Sequence, residues 1–301
     1  MILISSPVST PVQRKASLVS GPGNPLVSIV VGTKNSASTL RRCLDSVIDQ
    51  TYRPIEIVLV DNFSTDDTVA IAKEYTDRVY SIGPERSSQY NYAFRAAQGD
   101  YIYRIDSDFV LDPRIVREAT DCLSRGFDVV LVPDTTDTSV SFWARVRSLE
   151  KLCFLDDDWN VAARFFRAPV LQALGGYDED LVAGEDYDLH NRLLRAGYRV
   201  GRILHGEVHL AEPRTLREIW DKHYFYGTTL RAFLERNDDR GVRQVLPVRT
   251  SYLRHWRDFV QNPDLAAGFL VYQSVKYIAA WRGWSSVKSP GEPHDGGRPS
   301  G

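Results

Sequence analysis

Two aspartates one residue apart, Asp106 and Asp108, are the residues whose type and spacing most directly suggest chemistry. They follow the run 101–105, which has the pattern of a short β-strand. Side chains two positions apart on a strand lie on the same face, so we predict that the two carboxylates stand side by side. Such carboxylates repel each other, and a hard divalent cation neutralises the pair. The motif therefore predicts a Mg²⁺ or Mn²⁺ site, although aspartates in a turn also serve as plain capping residues.

Strand and helix patterns alternate in the part of the chain that contains this motif. Short runs rich in β-branched and apolar residues predict four strands, at 27–31, 55–60, 78–82 and 101–105. Helices are predicted between them, at 38–50, 65–75 and 87–98. This order is typical of βαβ units, so we predict an α/β fold with a Rossmann-like, mainly parallel sheet flanked by helices.

Polar clusters follow three of the predicted strands, at 33–35, 61–64 and 106–108. Ligands of such sheets bind beyond the carboxyl ends of the strands, so we expect the three clusters to converge on one crevice. The sequence contains neither G-x-G-x-x-G nor G-x-x-x-x-G-K-[ST]. This excludes the dinucleotide enzymes and P-loop NTPases that depend on those glycine-rich phosphate cradles. An aspartate-bound metal is then the predicted neutraliser of a diphosphate.

Composition narrows the class of protein. The 301 residues are 43% hydrophobic and 25% charged, as in a globular protein with a sizeable core. A net charge of −2 gives no indication of a nucleic-acid partner. Three cysteines without metal-ligand spacing predict reduced thiols and a cytoplasmic location. We also predict disordered tails at 1–25 and 285–301, since both are rich in residues that do not form a core.

The segment 265–284 is the nearest approach to a membrane-binding sequence. Gln273 and Lys276 interrupt its apolar run, which is therefore too short to span a bilayer, and Trp281 and Trp284 lie near its end. Two interpretations stay open. The segment is either a helix packed on the protein core or a helix lying on the inner face of the membrane.

Five motifs, in this order, carry a resemblance to a known family. They are VSIVVGTKN at 27–35, VLVDNFSTDDT at 58–68, IDSD at 105–108, LGGYDE at 174–179 and GEDYDLHNRL at 184–193. Together they resemble glycosyltransferase family 2 with the GT-A fold, of the bacterial type that handles cell-envelope or exported glycans. The resemblance implies a GT-A domain at 26–215, with a nucleotide half at 26–110 and an acceptor half at 111–215, followed by a helical extension at 216–284.

The resemblance also implies an activity. The expected reaction is the metal-dependent, inverting transfer of a sugar from a nucleotide diphosphate donor. The expected acceptor is a hydroxyl of a glycan, a lipid-linked molecule or a small molecule. The Gln-x-x-Arg-Trp pattern of processive synthases is absent from the sequence, which favours a single transfer per encounter.

Residues of the donor site are implied by the same motifs. Those expected to contact the nucleotide are Thr33, Asn35, Asp61, Asn62, Ser64, Arg86, Gln89 and Asp106. The family more often has Asp-Gly where this chain has Asn62-Phe63, which leaves the identity of the base open. Arg86 is also interpretable as a solvated charge at the start of a helix.

Metal and acceptor residues are implied as well. Asp108 is expected to bind the metal, and His209 to complete the metal site, although a lone histidine is as often an ordinary surface or core residue. Asp186 is expected to be the general base, since the acceptor hydroxyl must lose its proton during the attack. Glu185, Trp159 and Asn160 are expected to border the acceptor. An acidic helix start is the structural alternative for Glu185 and Asp186.

Two other functions were weighed against this one. A sugar nucleotidyltransferase has a similar α/β core, but it would need a glycine-rich, basic loop after the first strand, which Gly32-Thr-Lys-Asn-Ser does not supply. A non-catalytic carbohydrate-binding relative would be indicated by the loss of Asp108 or Asp186, and both are present.

Overall fold

The computed structural model describes residues 23–247 and 249–287, which form two compact units. The first unit comprises the chain up to Pro133 together with Ala163–Gly176 and Tyr198–Leu210. The second comprises Asp134–Ala162, Tyr177–Gly197 and the chain from Ala211 onward. Residues 1–22 and 288–301, which make up most of the predicted disordered tails, lie outside the described residues. The domain limits taken from the resemblance stay a prediction.

The first unit contains nine strands and five helices among its described residues. The strands are β1 (Val27–Thr33), β2 (Ile55–Asp61), β3 (Val79–Ser81), β4 (Tyr101–Asp106), β5 (Phe109–Leu111), β6 (Val129–Leu131), β8 (Phe165–Arg167), β9 (Val200–Arg202) and β10 (Glu207–His209). The helices are α1 (Ala37–Ile48), α2 (Thr68–Lys73), α3 (Arg86–Ala96), α4 (Ile115–Ser124) and α6 (Ala168–Leu174).

Seven of these strands form one sheet, in the order β3-β2-β1-β4-β8-β6-β9. All neighbours pair in parallel except at β8, which is antiparallel to β4 and to β6. The central strands are buried on both faces, as their near-continuous Val, Ile and Leu content requires, and α1 packs its apolar stripe against them. The prediction of an α/β fold with a mainly parallel sheet is confirmed.

The register between neighbouring strands aligns the polar residues at the strand ends. Thr33 lies opposite Asp61 on β2, and Gly32 lies opposite Asp106 on β4. The carboxyl ends of β1, β2 and β4 therefore meet at one edge of the sheet, as the strand pattern predicted.

One expectation about this edge is wrong. β4 ends at Asp106, and Ser107 and Asp108 form a turn that leads into β5. Strand alternation therefore does not orient Asp108. Its position is fixed by β10, which pairs antiparallel with β5 so that His209 lies opposite Phe109, and Leu210 N donates to the Asp108 carbonyl at 2.8 Å.

The second unit is mostly helical. Its elements are β7 (Asp134–Thr136), α5 (Phe142–Leu152), α7 (Glu185–Arg195), α8 (Leu216–Val245), α9 (Thr250–Arg254), α10 (Trp256–Gln261) and α11 (Pro263–Ser286). The predicted helical extension is confirmed, although α11 continues two residues into the predicted tail. Asp238 interrupts α8 with φ 46° and ψ −145°. No helix in residues 23–247 or 249–287 is both long enough and apolar enough to cross a membrane.

Candidate functional site

The loop after β2 is organised by Asp61. This carboxylate is 1% exposed and accepts hydrogen bonds from Thr33 Oγ1 at 2.9 Å, from Ser64 N at 2.8 Å and from the Ser64 hydroxyl. The backbone N–H of Asn35 donates to Ser64 Oγ at 2.7 Å, and Asn35 Oδ1 accepts from Thr65 N at 2.9 Å. Four of the predicted nucleotide residues are thus brought together. Asp61 holds the loop in shape, while Asn35 is exposed and Ser64 half-buried beside it.

Asn62 and Gln89 stabilise the same edge of the sheet through hydrogen bonds to backbone carbonyls. Asn62 Nδ2 donates to the carbonyl of Pro84. Gln89 is buried on α3, and its Nε2 donates to the carbonyls of Thr33 at 3.0 Å and Val60 at 2.7 Å. This gives Gln89 a structural role in joining the ends of β1 and β2; a nucleotide contact by Gln89 stays a prediction.

Phe63 is the unexpected residue of this loop. Its ring is 65% exposed and its backbone has φ 51°, a left-handed conformation that a β-carbon disfavours. The glycine that the family more often carries at this position would adopt this φ without strain. The large ring therefore stands at the strand edge at some conformational cost.

Asp106 is neutralised by protein groups. Its Oδ2 lies 3.2 Å from Arg104 Nη1, its Oδ1 lies 3.8 Å from Arg86 Nη1, and Tyr90 Oη donates to Oδ1 at 2.7 Å. Burial alone would raise the pKa of Asp106, but Arg104, Arg86 and the other positive and donor groups outweigh burial and hold it below its usual range. A metal is therefore not needed to relieve repulsion at Asp106, and the sequence argument for a carboxylate pair sharing one cation is corrected.

Arg104 is the site residue that sequence reasoning missed. It is 2% exposed, and its guanidinium stacks on the Tyr90 ring at 4.5 Å from the centroid. A charged residue within the run Tyr101–Asp106 was the available signal, because a charge on a buried strand needs a partner close by. The half-exposed Arg86 lies beside the same carboxylate, so the edge carries positive charge next to Asp106.

Asp108 and His209 form a second, separate pair. Their Oδ2 and Nε2 atoms are 3.0 Å apart, and the side chains are 25% and 14% exposed. The His209 ring lies against Phe109, with centroids 4.8 Å apart, and the Arg164 guanidinium lies 4.7 Å from the Phe109 centroid. His205, the neighbouring candidate in the sequence, contacts Glu118 on α4 instead. The structure thus brings Asp108 together with His209, as the resemblance implied.

The donor set of this pair fits a divalent cation. A carboxylate oxygen and an imidazole nitrogen are ligands that Mn²⁺ accepts in proteins, and both atoms are at the strand edge with partial access to solvent. Among the described residues, no group of three or more His, Cys, Asp or Glu side chains is arranged to hold a metal. A cation held by this pair would therefore take most of its ligands from diphosphate oxygens and water, as Mg²⁺ commonly does at phosphate sites.

The acidic turn of the second unit begins α7. Gly184 precedes it with φ 82°, and a β-carbon there would lie 2.7 Å from the Phe233 ring, so only glycine fits. Glu185 is 1% exposed, while Asp186 is partly exposed in the first helical turn. Asp188 is buried and bonded to Arg192 Nε at 2.8 Å and to Asn237 Nδ2 at 3.1 Å. Of the three carboxylates, Asp186 is the one that combines partial exposure with a helix N-terminus.

Trp159 and Asn160 lie on the same unit as α7. Gln244 Nε2 donates to the Trp159 carbonyl at 2.9 Å and to Asn191 Oδ1 of α7 at 3.2 Å. The Trp159 ring has the guanidinium groups of Arg240 and Arg243 at 4.6 and 5.0 Å from its centroid. Asn160 is buried, and its Nδ2 donates to Asp157 Oδ2 at 2.6 Å. The segment is therefore tied to α7 through buried amides, with Trp159 as its more accessible residue.

Comparison with known proteins agrees with these features. Residues 28–176 match the family model of Glycosyl transferase family 2. The chain is 29% identical over 204 residues to a chondroitin synthase of Escherichia coli, covering 61% of this chain and 29% of that protein. It is 23% identical over 233 residues to the O-antigen chain rhamnosyltransferase WbaN of Salmonella anatum, covering 67% of this chain and 71% of that protein. The chain thus spans less than a third of the length of the chondroitin synthase.

A solved structure shares the fold. The mannosyltransferase PcManGT from Pyrobaculum calidifontis, determined in complex with GDP-Man and Mn²⁺, superposes with a TM-score of 0.59 at 16% identity. The superposition covers 88% of this chain and 87% of that one. The likeness confirms the GT-A fold expected from the sequence motifs. With its N-terminal motifs, its parallel sheet and the family match in agreement, this chain carries a glycosyltransferase family 2 domain.

Proposed function

We propose that this protein is a glycosyltransferase that moves a sugar from a nucleotide diphosphate donor to an acceptor hydroxyl, with a divalent cation held by Asp108 and His209. The observation that carries the proposal is this pair, whose Oδ2 and Nε2 atoms are 3.0 Å apart. Asp108 lies within the matched residues 28–176, and His209 lies in the part of the chain that follows them. The donor and Mn²⁺ in the PcManGT complex support the same chemistry.

The cation, Mg²⁺ or Mn²⁺, neutralises the diphosphate when bound and stabilises it as a leaving group. Asp108 Oδ2 and His209 Nε2 are the atoms that would hold it. His209 binds in its neutral form, so protonation of the ring at low pH opposes binding. Leu210 N and the antiparallel β5–β10 pairing fix the backbone of both residues, which keeps the ligand atoms in place before the donor arrives.

The nucleotide would lie along the ends of β1 and β2. Asp61, bonded to Thr33 and Ser64, holds the loop that presents Asn35 and Ser64 to the base and ribose. Asn62 and Gln89 secure this loop from the buried side. Arg86, 43% exposed, supplies positive charge beside Asp106, where the donor's phosphate or ribose groups would be received.

Asp186 is the proposed general base of an inverting transfer. As the acceptor oxygen bonds to the anomeric carbon, the bond from that carbon to the diphosphate oxygen breaks on the opposite side, and the acceptor proton passes to the Asp186 carboxylate. Partial exposure supports this assignment over the buried Glu185 and Asp188. Asp186 lies in the first turn of α7, where the helix dipole interacts favourably with acidic side chains.

The acceptor is proposed to be a glycan, a lipid-linked molecule or a small molecule bordered by Glu185, Trp159 and Asn160. Two guanidinium groups, those of Arg240 and Arg243, lie over the Trp159 indole and supply positive charge at this position, which suits an acidic acceptor. The rhamnosyltransferase and chondroitin synthase among the relatives support a role in glycan synthesis.

A thermal-shift panel tests the proposed function. UDP, GDP and dTDP, and their sugar derivatives, are added with Mn²⁺ or with EDTA. Because a ligand of the folded state raises the apparent stability by mass action, at least one of the nucleotides is expected to raise Tm in Mn²⁺ and to lose this effect in EDTA. If none of them raises Tm in Mn²⁺, the protein does not bind such donors and the proposal is wrong.

A further inference from the structure

Helix α11 buries Phe269, Tyr272 and Ala279 on its inward side, and it also turns two polar side chains toward the protein. Lys276 Nζ lies 3.0 Å from Glu150 Oε1 of α5, and Gln273 Nε2 donates to the same oxygen at 2.8 Å. Glu150 is fully buried, and burial lowers the pKa of the Lys276 ammonium to about 8. An ordinary surface helix places its apolar stripe inward and its charges outward. In α11 the charged residue near the middle of the helix, Lys276, is instead paired with a buried carboxylate.

The outward side of α11 is apolar as well. Leu270, Val271, Ile278 and Trp281 are exposed by 68, 44, 52 and 62%. Positions 270, 274, 278 and 281 recur at helical spacing, so these side chains form one stripe, interrupted by Ser274. Isolated exposed apolar residues are common on protein surfaces, but a continuous stripe marks an interaction site. We call these four residues the outer face of α11.

Aromatic residues extend the outer face at the end of the helix. A β-carbon at Gly283 would lie 2.0 Å from the Tyr224 carbonyl oxygen of α8, and one at Gly227 would lie 2.1 Å from the Ala280 oxygen. The two helices therefore cross in backbone contact at this point. Phe225 of α8 and Trp284 of α11, both exposed, directly follow Tyr224 and Gly283, which meet at this crossing.

We propose that the outer face of α11 docks on the surface of a bilayer that contains anionic lipids. Residues 265–287 include no Asp or Glu, whereas Arg282 is exposed beside Trp281. Tryptophan and arginine at the edge of an apolar stripe match the boundary between acyl chains and anionic headgroups. In this proposal α11 lies along the membrane surface and does not cross the bilayer.

A second copy of the chain fits this face less well. A two-fold contact would bring the same patch of both copies together. Arg282 would then meet a surface that offers no carboxylate from 265–287. An anionic lipid surface supplies the negative charge that such a contact between two copies would lack. The proposal stands apart from the proposed glycosyl transfer, and it combines the two interpretations of 265–284, with one side of the helix packed on the protein and the other side docked on the membrane.

Vesicle flotation of the full chain tests the docking surface. The probes are vesicles of phosphatidylcholine alone and of phosphatidylcholine mixed with phosphatidylglycerol. The test variant is Ile278→Ser with Trp281→Ser, and the control is Leu204→Ser, which removes an even more exposed apolar side chain (82%) from the first unit. Circular dichroism and gel filtration on each preparation report folding and oligomeric state.

The wild type and Leu204→Ser are expected to float with the anionic vesicles, and the double variant to lose about tenfold or more of the partition constant. Arg282→Gln is expected to lessen the preference for anionic over neutral vesicles. The proposal is overturned if the wild type floats with neither vesicle, or if the folded double variant floats as well as the wild type. A wild-type dimer that the double variant abolishes would instead assign the face to a second copy.

Discussion

At the scale of single residues, the edge of the sheet separates two carboxylates that are neighbours in the sequence. Asp106 is held by Arg104 and Tyr90, while Asp108 faces His209. Sequence patterns located Asp61, Asp106 and Asp108 correctly at strand ends, because the hydrophobic runs define where strands stop. They could not predict the partners of Asp106, since Tyr90 comes from α3 and no local rule specifies which buried group a charge will meet.

The buried pair of Arg104 and Asp106 yields a stability prediction. Arg104→Met leaves the Asp106 carboxylate with less compensation, so the free energy of unfolding should fall by about 3–5 kcal/mol at neutral pH. The control is Arg114→Met, which breaks the exposed ion pair with Asp112 and should cost about 1 kcal/mol or less. Urea denaturation of both variants measures the difference.

The same variant should show an altered pH dependence. In the wild type the pKa of Asp106 in the folded state lies below its usual value. The carboxylate therefore contributes its full stabilisation at pH values above the usual pKa, and this stabilisation is lost as the pH falls through the lower pKa of the folded state. Without Arg104, burial dominates and the pKa rises. The deficit of Arg104→Met relative to wild type should therefore shrink as pH falls toward 4. A deficit that stays constant with pH would mean that Asp106 does not depend on Arg104.

Asp186 gives the prediction for catalysis. Asp186→Asn should lower turnover by about 10²–10⁴ and leave donor affinity nearly unchanged, because a general base acts on the acceptor. Hydrolysis of the donor, followed as release of the nucleoside diphosphate, provides an assay with water as the acceptor. Asp180→Asn, which changes a carboxylate that is 82% exposed on the same unit, should be fully active.

Three results would contradict this assignment. Loss of donor affinity in step with activity would make Asp186 a donor-site or structural residue. Full activity of Asp186→Asn would place the base elsewhere. A released sugar that retains the anomeric configuration of the donor, seen by NMR, would rule out the inverting mechanism.

At the scale of elements, the strands and helices of the βαβ alternation were predictable, including the three-residue β3, and the short strands that follow it were not. The βαβ alternation predicted β1, β2 and β4 and the helices between them. β5 and β10, three residues each, were not predicted as strands, because each is short and the two segments that pair are separated by about a hundred residues of chain. His209 is brought to Asp108 by this pairing. The resemblance implied a role for His209 at the metal site, which stays a prediction, and local propensity gives no indication of that role.

The interruption of α8 yields a prediction of its own. Asp238 has φ 46° and ψ −145°, a conformation that glycine adopts far more readily than other residues. Asp238→Gly should raise the free energy of unfolding by about 1 kcal/mol. The control Asp239→Gly, at a regular helical position next to it, should lower stability by a similar amount. Destabilisation by both substitutions, measured by thermal or urea unfolding, would mean that the kink imposes no strain.

At the scale of the whole molecule, two compact units carry different parts of the proposed chemistry. The first holds the family motifs of the donor site, and the second holds Asp186, Trp159 and the helices α8 and α11. The fold class followed from the order of strands and helices, and the family from five short motifs. The inward position of Lys276 on α11 could not be predicted from the sequence, because Lys276 looks like a solvent-facing charge until its buried partner Glu150 is known.

The central claim is that Asp108 and His209 bind the cation on which donor binding depends. Calorimetry of UDP, GDP and dTDP, each in Mn²⁺ and in EDTA, tests it most directly on three proteins: the wild type, Asp108→Asn and Asp112→Asn. Asp112 is the matched control, because it lies four residues from Asp108 and its side chain is 26% exposed against 25%. The wild type and Asp112→Asn should bind at least one nucleotide more tightly in Mn²⁺ than in EDTA, by about tenfold or more. Asp108→Asn should bind that nucleotide weakly in both conditions. Undiminished Mn²⁺-dependent affinity in Asp108→Asn, or equal affinity of the wild type in Mn²⁺ and EDTA, would contradict the account.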